Sequence, residues 1–186
     1  MTLRVIAGEL KGRKLRTIPG LKTRPTADRT REAVFNILGS AVRDAHVLDV
    51  FAGTGAFGIE AVSRGAASAV FIEIGREALG VLAGNIQACG LAERVAVLRW
   101  DASRNLNCLS GREPKFSLVF LDPPYGRGLV RPALLNLHAA GCLANGACLV
   151  VEHGADDPFP EPGAFYPLRD RRRYGKTIVS FLNYVI

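Results

Sequence analysis

The 186-residue chain is poor in the residues that build metal centres and disulfide frameworks, with four cysteines, three histidines and one methionine. Cys89, Cys108, Cys142 and Cys148 form no CxxC pair and have no histidine at ligand spacing, so neither a zinc site nor a disulfide scaffold is expected. Buried thiols in a reducing cytoplasm fit better. No run of about 18 uncharged apolar residues could span a bilayer, and the N-terminus lacks the apolar core of a signal peptide. The expectation is a soluble cytoplasmic protein with no membrane association. Acidic residues are scarce too: 17 Asp and Glu stand against 24 Lys and Arg, a net charge of +7 that makes polyanions natural partners.

What is present is a hydrophobic fraction of 48%, enough to support the core of one compact domain. The positive charge is concentrated at the two ends. Arg4, Lys11, Arg13, Lys14, Arg16, Lys22, Arg24, Arg29 and Arg31 face only Glu9 and Asp28, and Arg169, Arg171, Arg172, Arg173 and Lys176 form a second cluster. Basic ends around a balanced, apolar middle match a nucleic-acid footprint, although a solvated face produces the same pattern.

Residues 3 to 18 contain two short β-like runs around Gly8 and Lys11-Gly12, which predicts a hairpin. Helical spacing follows over 27 to 38, with Thr26 as a candidate N-cap and Gly39 as a stop. Beyond it, apolar strands at 46–51, 68–73, 95–100, 116–122 and 146–152 alternate with helices at 56–64, 75–88 and 129–140. Continuous apolar strands separated by amphipathic helices predict a parallel α/β sheet covered on both faces. The terminal "TIVSFLNYVI" reads as a strand pairing antiparallel with one near 165–169, which makes seven strands. Two regions follow: a basic extension over 1–40 and an α/β unit over 41–186.

Open sheets of this kind bind ligands beyond the C-terminal ends of their strands. The first strand leads into "LDVFAGTGAFGIEA", where Gly53, Gly55 and Gly58 fit GxGxxG, a pattern shared by several nucleoside-cofactor loops. Asp49, followed by Phe51, is the discriminating residue. A carboxylate at the lip of that loop sits badly beside a pyrophosphate but suits the cationic amino-acid end of S-adenosyl-L-methionine. Glu73, 24 residues later, can accept both ribose hydroxyls, a role equally suited to NAD. Asp101 can accept an adenine amino hydrogen, with Ala102 as a backbone donor. Trp100 reads as core in preference to a wall of the adenine pocket. His46, His138 and His153 suggest no triad or metal site.

The fourth strand ends in "FLDPPYGRG". The two prolines stop the strand and stiffen the chain, holding Asp122, Pro123, Pro124 and Tyr125 on a rigid bend. Asp122 and the Pro123 carbonyl offer acceptors and Tyr125 a flat face, the parts needed to hold a planar amine whose lone pair is delocalised into a nucleobase.

"DVFAGTGAFGIEA", "FIEIGREAL" and "LVFLDPPYGRG" resemble the cofactor loop, ribose carboxylate and DPPY motif of class I S-adenosylmethionine-dependent N-methyltransferases. "RVIAGELKGRKL", "TRPTADRTREAVFNIL", "VEHG" and "YGKTIVSF" resemble the RsmD family, which methylates a guanine N2 of small-subunit (16S) ribosomal RNA, and the resemblance spans essentially the whole chain. It implies a Rossmann-like class I methyltransferase fold, with a mostly parallel seven-stranded sheet, an antiparallel C-terminal strand and a small N-terminal hairpin and helix. Asp122, Pro123, Pro124 and Tyr125 would then serve the methyl acceptor. Asp49, Phe51, Gly53, Gly55, Glu73, Asp101 and Ala102 would serve S-adenosyl-L-methionine. Arg4, Lys11, Arg13, Lys14, Arg16, Arg24 and Arg29 would contact the ribosomal RNA, bare or in an assembling small subunit, and the protein would act as a monomer. DPPY is shared with DNA adenine N6-methyltransferases, and GxGxxG with Glu73 leaves an NAD-binding oxidoreductase as a rival from another class.

Overall fold

The computed structural model describes residues 3–18, 20, 25–157, 159 and 164–186. Its elements follow the predicted alternation: α1 (Pro25–Leu38), β1 (His46–Val50), α2 (Ala56–Ser63), β2 (Ser68–Glu73), α3 (Arg76–Cys89), β3 (Val95–Arg99), β4 (Phe116–Leu121), α4 (Val130–Ala140), β5 (Leu143–Gly154), β6 (Leu168–Tyr174) and β7 (Thr177–Asn183). The strand order is β3-β2-β1-β4-β5-β7-β6. β1 to β5 are parallel, and β7 enters antiparallel between β5 and β6. Order reverses between β1 and β4, so the crevice where α/β sheets bind ligands opens above those two strands.

Buried strands on both faces explain the continuous apolar runs, and each face carries its own core. On one face Phe35 of α1, Phe57 of α2 and Phe120 of β4 meet with ring centroids 5.0 to 6.2 Å apart. Truncating the fully buried Phe120 to Ala would cost about 3–5 kcal/mol. Leu3, Val5 and Leu15 join this core, so the N-terminal segment shares its packing with the sheet. That segment is a sparse hairpin with a single bridge, Arg4 to Lys14, closed by Val5 N–H to Arg13 O at 2.9 Å. Gly8 at its turn lies so close to the Ser63 carbonyl that a Cβ would overlap it at 1.8 Å.

Two boundaries differ from expectation. β5 begins at Leu143, earlier than 146, because the strand continues past an irregularity at Gly146, whose φ of +80° kinks the chain and re-registers it against β4. The partner of the terminal strand is Leu168–Tyr174, not 165–169. "LRDRRRY" is an edge strand open to water, and it therefore lacks the apolar pattern that marks a strand. Cys89, Cys142 and Cys148 are buried and all four cysteines are free thiols. No helix among the described residues is long and apolar enough to cross a membrane. The Thr26 side chain and Arg24 lie outside the described positions.

Candidate active site

Asp49 is the penultimate residue of β1 and lies beneath the glycine loop, not at its lip as expected: it is 3% exposed and its Oδ2 accepts the Gly58 N–H at 2.9 Å. The loop folds over the strand end, and α2 starts by donating to this carboxyl. A Cβ on Gly58 would meet the Phe71 ring at 2.3 Å, so only glycine lets helix and sheet approach this closely. Burial pushes the Asp49 carboxyl up to about 7, opposed by the Gly58 N–H and reinforced by the charge of Glu73. Phe51 holds φ at +65°, an unfavourable region for an aromatic residue, which marks the loop as strained.

Glu73 closes β2 and ties two turns together. Its Oε2 accepts the Gly53 N–H at 2.8 Å, and its Oε1 accepts those of Ile74 and Gly75 at 2.8 and 2.7 Å. Asp101, just beyond β3, accepts the hydroxyl and N–H of Ser103 at 2.6 and 3.0 Å and pairs with Arg104. The Ser103 hydroxyl, foremost, holds its carboxyl below the ordinary range. Ala102 is buried, and its carbonyl accepts Asn136 Nδ2 of α4 at 2.9 Å. Trp100 is a correction: it is 37% exposed at the rim, with Nε1 donating to the Asn105 carbonyl at 3.0 Å. β3 is an edge strand with an incompletely covered surface, so its tryptophan never enters the core.

β4 stops at Leu121, and Asp122 opens to solvent at the crevice mouth with the buried Pro123 behind it and the exposed Pro124 following. Tyr125 exposes 41% of its surface while its hydroxyl is pinned, donating to Glu152 Oε1 at 2.6 Å and sharing a bond with Thr177 Oγ1 at 3.2 Å. Asp157 straps the bend to the end of β5, accepting the N–H groups of Gly126 and Gly154 at 2.8 and 3.0 Å. Asp122 and Glu152 share a small pocket walled by Val34, Phe57, Phe120 and Val179. These surroundings, with the charges of Glu152 and Asp49, hold the Asp122 carboxyl well above its usual value. Burial raises Glu152 as well, opposed by the Tyr125 hydroxyl, and the Tyr125 phenol is raised by burial and by Glu152.

The sequence assigns no role to Glu152, Thr177 or Asp157, which the structure brings to the bend. The one signal for Glu152 is its place in "VEHG", another carboxylate near a strand end.

Arg4, Lys11, Arg13, Lys14, Arg16 and Arg29 are exposed, and none forms an ion pair among the described residues. Arg31 belongs to the same basic run but is buried at 2% exposure. Its Nη2 donates to the Arg4 carbonyl at 2.6 Å and to Asp28, and its Nε lies 3.8 Å from buried Glu60. Glu60 also accepts the N–H groups of Ile6 and Ala7 and pairs with Arg64, so this cluster docks the hairpin on α2.

A family model described as "Conserved hypothetical protein 95" matches residues 3–183. The chain is 35% identical over 174 residues to "Ribosomal RNA small subunit methyltransferase D" of Escherichia coli, covering 94% of this chain and 86% of that protein. It is 34% identical over 178 residues to "Putative rRNA methyltransferase YlbH" of Bacillus subtilis, covering 96% and 97% respectively. Among solved structures, "Putative methyltransferase yhhF" from Escherichia coli superimposes with a TM-score of 0.87 at 34% identity, covering 100% of this chain and 99% of that one. With the DPPY bend, the strand-end carboxylates and the N-terminal hairpin all inside that matched span, the chain belongs to the family of ribosomal RNA small subunit methyltransferase D, the RsmD family.

Proposed function

We propose that the protein transfers a methyl group from S-adenosyl-L-methionine to the exocyclic N2 amine of a guanine in small-subunit (16S) ribosomal RNA. The observation that carries this reading is the bend at Asp122–Tyr125, where a carboxyl, a proline carbonyl and a pinned aromatic ring are held together at the sheet's switch point.

The donor half fits the cofactor. Asp49, Asp122 and Glu152 sit on neighbouring strands with no Lys or Arg paired to them among the described residues, so a cationic ligand relieves their mutual repulsion. When bound, S-adenosyl-L-methionine supplies an electrophilic methyl on a positive sulfur. Glu73 accepts the ribose hydroxyls, Asp101 and Ala102 hold the adenine edge beside Trp100, and Asp49 with Phe51, Gly53 and Gly55 forms the floor for the amino-acid end.

On the acceptor half, an Asp122 oxygen and the Pro123 carbonyl take the two amine hydrogens and turn the nitrogen lone pair out of conjugation. Pro124 keeps the bend from relaxing, and the Tyr125 ring stacks on the extruded base. As the nitrogen–carbon bond forms and the carbon–sulfur bond breaks, the surplus amine proton passes to Asp122, whose raised proton affinity suits it to receive one.

Residues 1–40 act in this reading as the RNA-binding extension of a catalytic unit over 41–186. Arg4, Lys11, Arg13, Lys14, Arg16, Arg24 and Arg29 contact phosphates, a sequence-independent grip that weakens steeply with salt. The protein works in the cytoplasm, as a monomer, on ribosomal RNA or the assembling small subunit.

The test is transfer of labelled methyl groups to naked ribosomal RNA, intact small subunits and duplex DNA, followed by mass analysis of the modified nucleoside. N2-methylguanosine in RNA is the expected product. N6-methyladenine in DNA would overturn the reading.

A further inference from the structure

The tip of the N-terminal hairpin and the turn between β6 and β7 lie at opposite ends of the parallel strands. The N-terminal hairpin turn packs where α2 finishes: Glu9 N–H donates to the Ser63 carbonyl at 2.8 Å, Leu10 N–H to the Ser63 hydroxyl at 3.0 Å, and Glu9 pairs with Arg94 just before β3 begins. Lys11 and Arg13 follow directly, at the N-terminal ends of the parallel strands and away from the crevice. β6 and β7 turn around at Gly175 and Lys176, and that turn is bonded to the crevice itself: the Lys176 carbonyl accepts the Ala155 N–H at 2.9 Å, and Thr177 meets the Tyr125 hydroxyl.

Strand register places Arg172 beside the acceptor residues. Glu152 pairs with Val179 and Val179 with Arg172; Gly154 pairs with Thr177 and Thr177 with Tyr174. Directly opposed residues of antiparallel strands share a face, so Arg172 projects from the same face as Glu152. Two strand spacings separate them, about 10 Å. That distance is on the scale of a nucleotide and its neighbouring phosphate. Within the cluster, Arg171 lies over the Phe159 ring and bonds Ser180, and Arg173 bonds the Gly175 carbonyl, whereas Arg172 meets only Asp170 among the described residues and keeps 57% of its side chain exposed. Lys176 is exposed at the turn.

We infer that the tip of the β6–β7 hairpin, through Arg172 and Lys176, holds the RNA backbone immediately beside the nucleotide whose base enters the crevice. This rests on the RNA methyltransferase reading above. The surface is positive, next to the exposed Tyr125 ring, and on the acceptor side of the site, which suits the phosphates of a single strand flanking an extruded base. Arginines on an edge strand also deter pairing with a second copy of the chain, and the experiment must separate the two roles.

The double variant Arg172→Gln/Lys176→Gln is compared with Lys11→Gln/Arg13→Gln, which removes the same charge at the far end. The substrates are full-length ribosomal RNA and short oligonucleotides centred on the guanine that mass mapping identifies. The hairpin-tip variant is expected to raise KM about tenfold on both substrates and to flatten the log–log salt dependence of binding by about 1.4, the share of two single-strand phosphate contacts. Calorimetric affinity for S-adenosyl-L-methionine and the thermal midpoint, measured alongside, are expected to match wild type. The N-terminal variant is expected to weaken the long RNA more than the short oligonucleotide, the reverse of an effect centred on the crevice. Unchanged kinetics of the hairpin-tip variant, or self-association by size exclusion with unchanged kinetics, would overturn the inference in favour of edge protection. A wild-type protein that transfers no methyl to RNA would instead overturn the reading beneath it.

Discussion

The carboxylates on the two sides of the crevice are held in opposite ways. On the donor side, Glu73 receives three backbone N–H groups and Asp101 receives a hydroxyl and an N–H. On the acceptor side, Asp122 and Glu152 face each other across an apolar pocket, and among the described residues the pair accepts only the Tyr125 hydroxyl. Carboxylates already held by backbone donors are fixed in place, which suits the ribose and adenine contacts proposed for them. Crowded ones gain proton affinity, which suits a group that must first accept a hydrogen bond from an amine and then take its proton.

The contrast breaks most severely at Asp122. Asp122→Ala is expected to lower kcat by about 100- to 10,000-fold, the range for losing a group that handles a proton in the transition state. S-adenosyl-L-methionine should still bind with an affinity within a few-fold of wild type, read by calorimetry. Equal turnover would remove Asp122 from the chemistry, and lost cofactor binding would place it on the donor side.

Glu73→Gln tests the other half. The substitution keeps the shape and removes the charge that organises Gly53, Ile74 and Gly75. Loss of one charge-assisted bond to the ribose predicts cofactor affinity weaker by about 2 kcal/mol, on the order of 30-fold. Hydrogen exchange at Gly53 and Gly75 should quicken in the same variant, while the RNA KM holds. An unchanged cofactor affinity would mean that Glu73 serves only to join its two turns.

What could be read from the chain follows the same division. β1, β2 and β4 run through the centre of the sheet with both faces covered, so their apolar runs are unmistakable and the residues at their ends could be listed in advance. β6 is an edge strand of arginines and carried no such pattern. Trp100 departs from its expected burial because the edge position of β3, and not the residue type, decides exposure. Arg31 was one more cation in a basic run, and only its docking against buried Glu60 separates it from its exposed neighbours. Glu152 and Thr177 meet Tyr125 from 27 and 52 residues away, a convergence that spacing within a motif does not encode.

The smallest expected effect sharpens the acceptor side most. In the proposed mechanism Asp122 is ionised when it receives the amine, so turnover should fall as pH drops through its raised pKa. Desolvation of the carboxyl by the pocket walls is the main cause of that elevation, and the negative charge of Glu152 comes second. Glu152→Gln removes the second cause and leaves the first, so Asp122 should ionise at a lower pH and the acid limb of the kcat profile should move in the acid direction. The same change replaces the partner of the Tyr125 hydroxyl with a neutral acceptor, and the plateau rate should drop a few-fold as the ring loosens. A residue that only supported the fold would lower the plateau and leave the limb in place. The two readings therefore separate in one pH–rate series, with Thr177→Val as the companion: it loosens the same ring without touching the charge, and should lower the plateau with no movement of the limb.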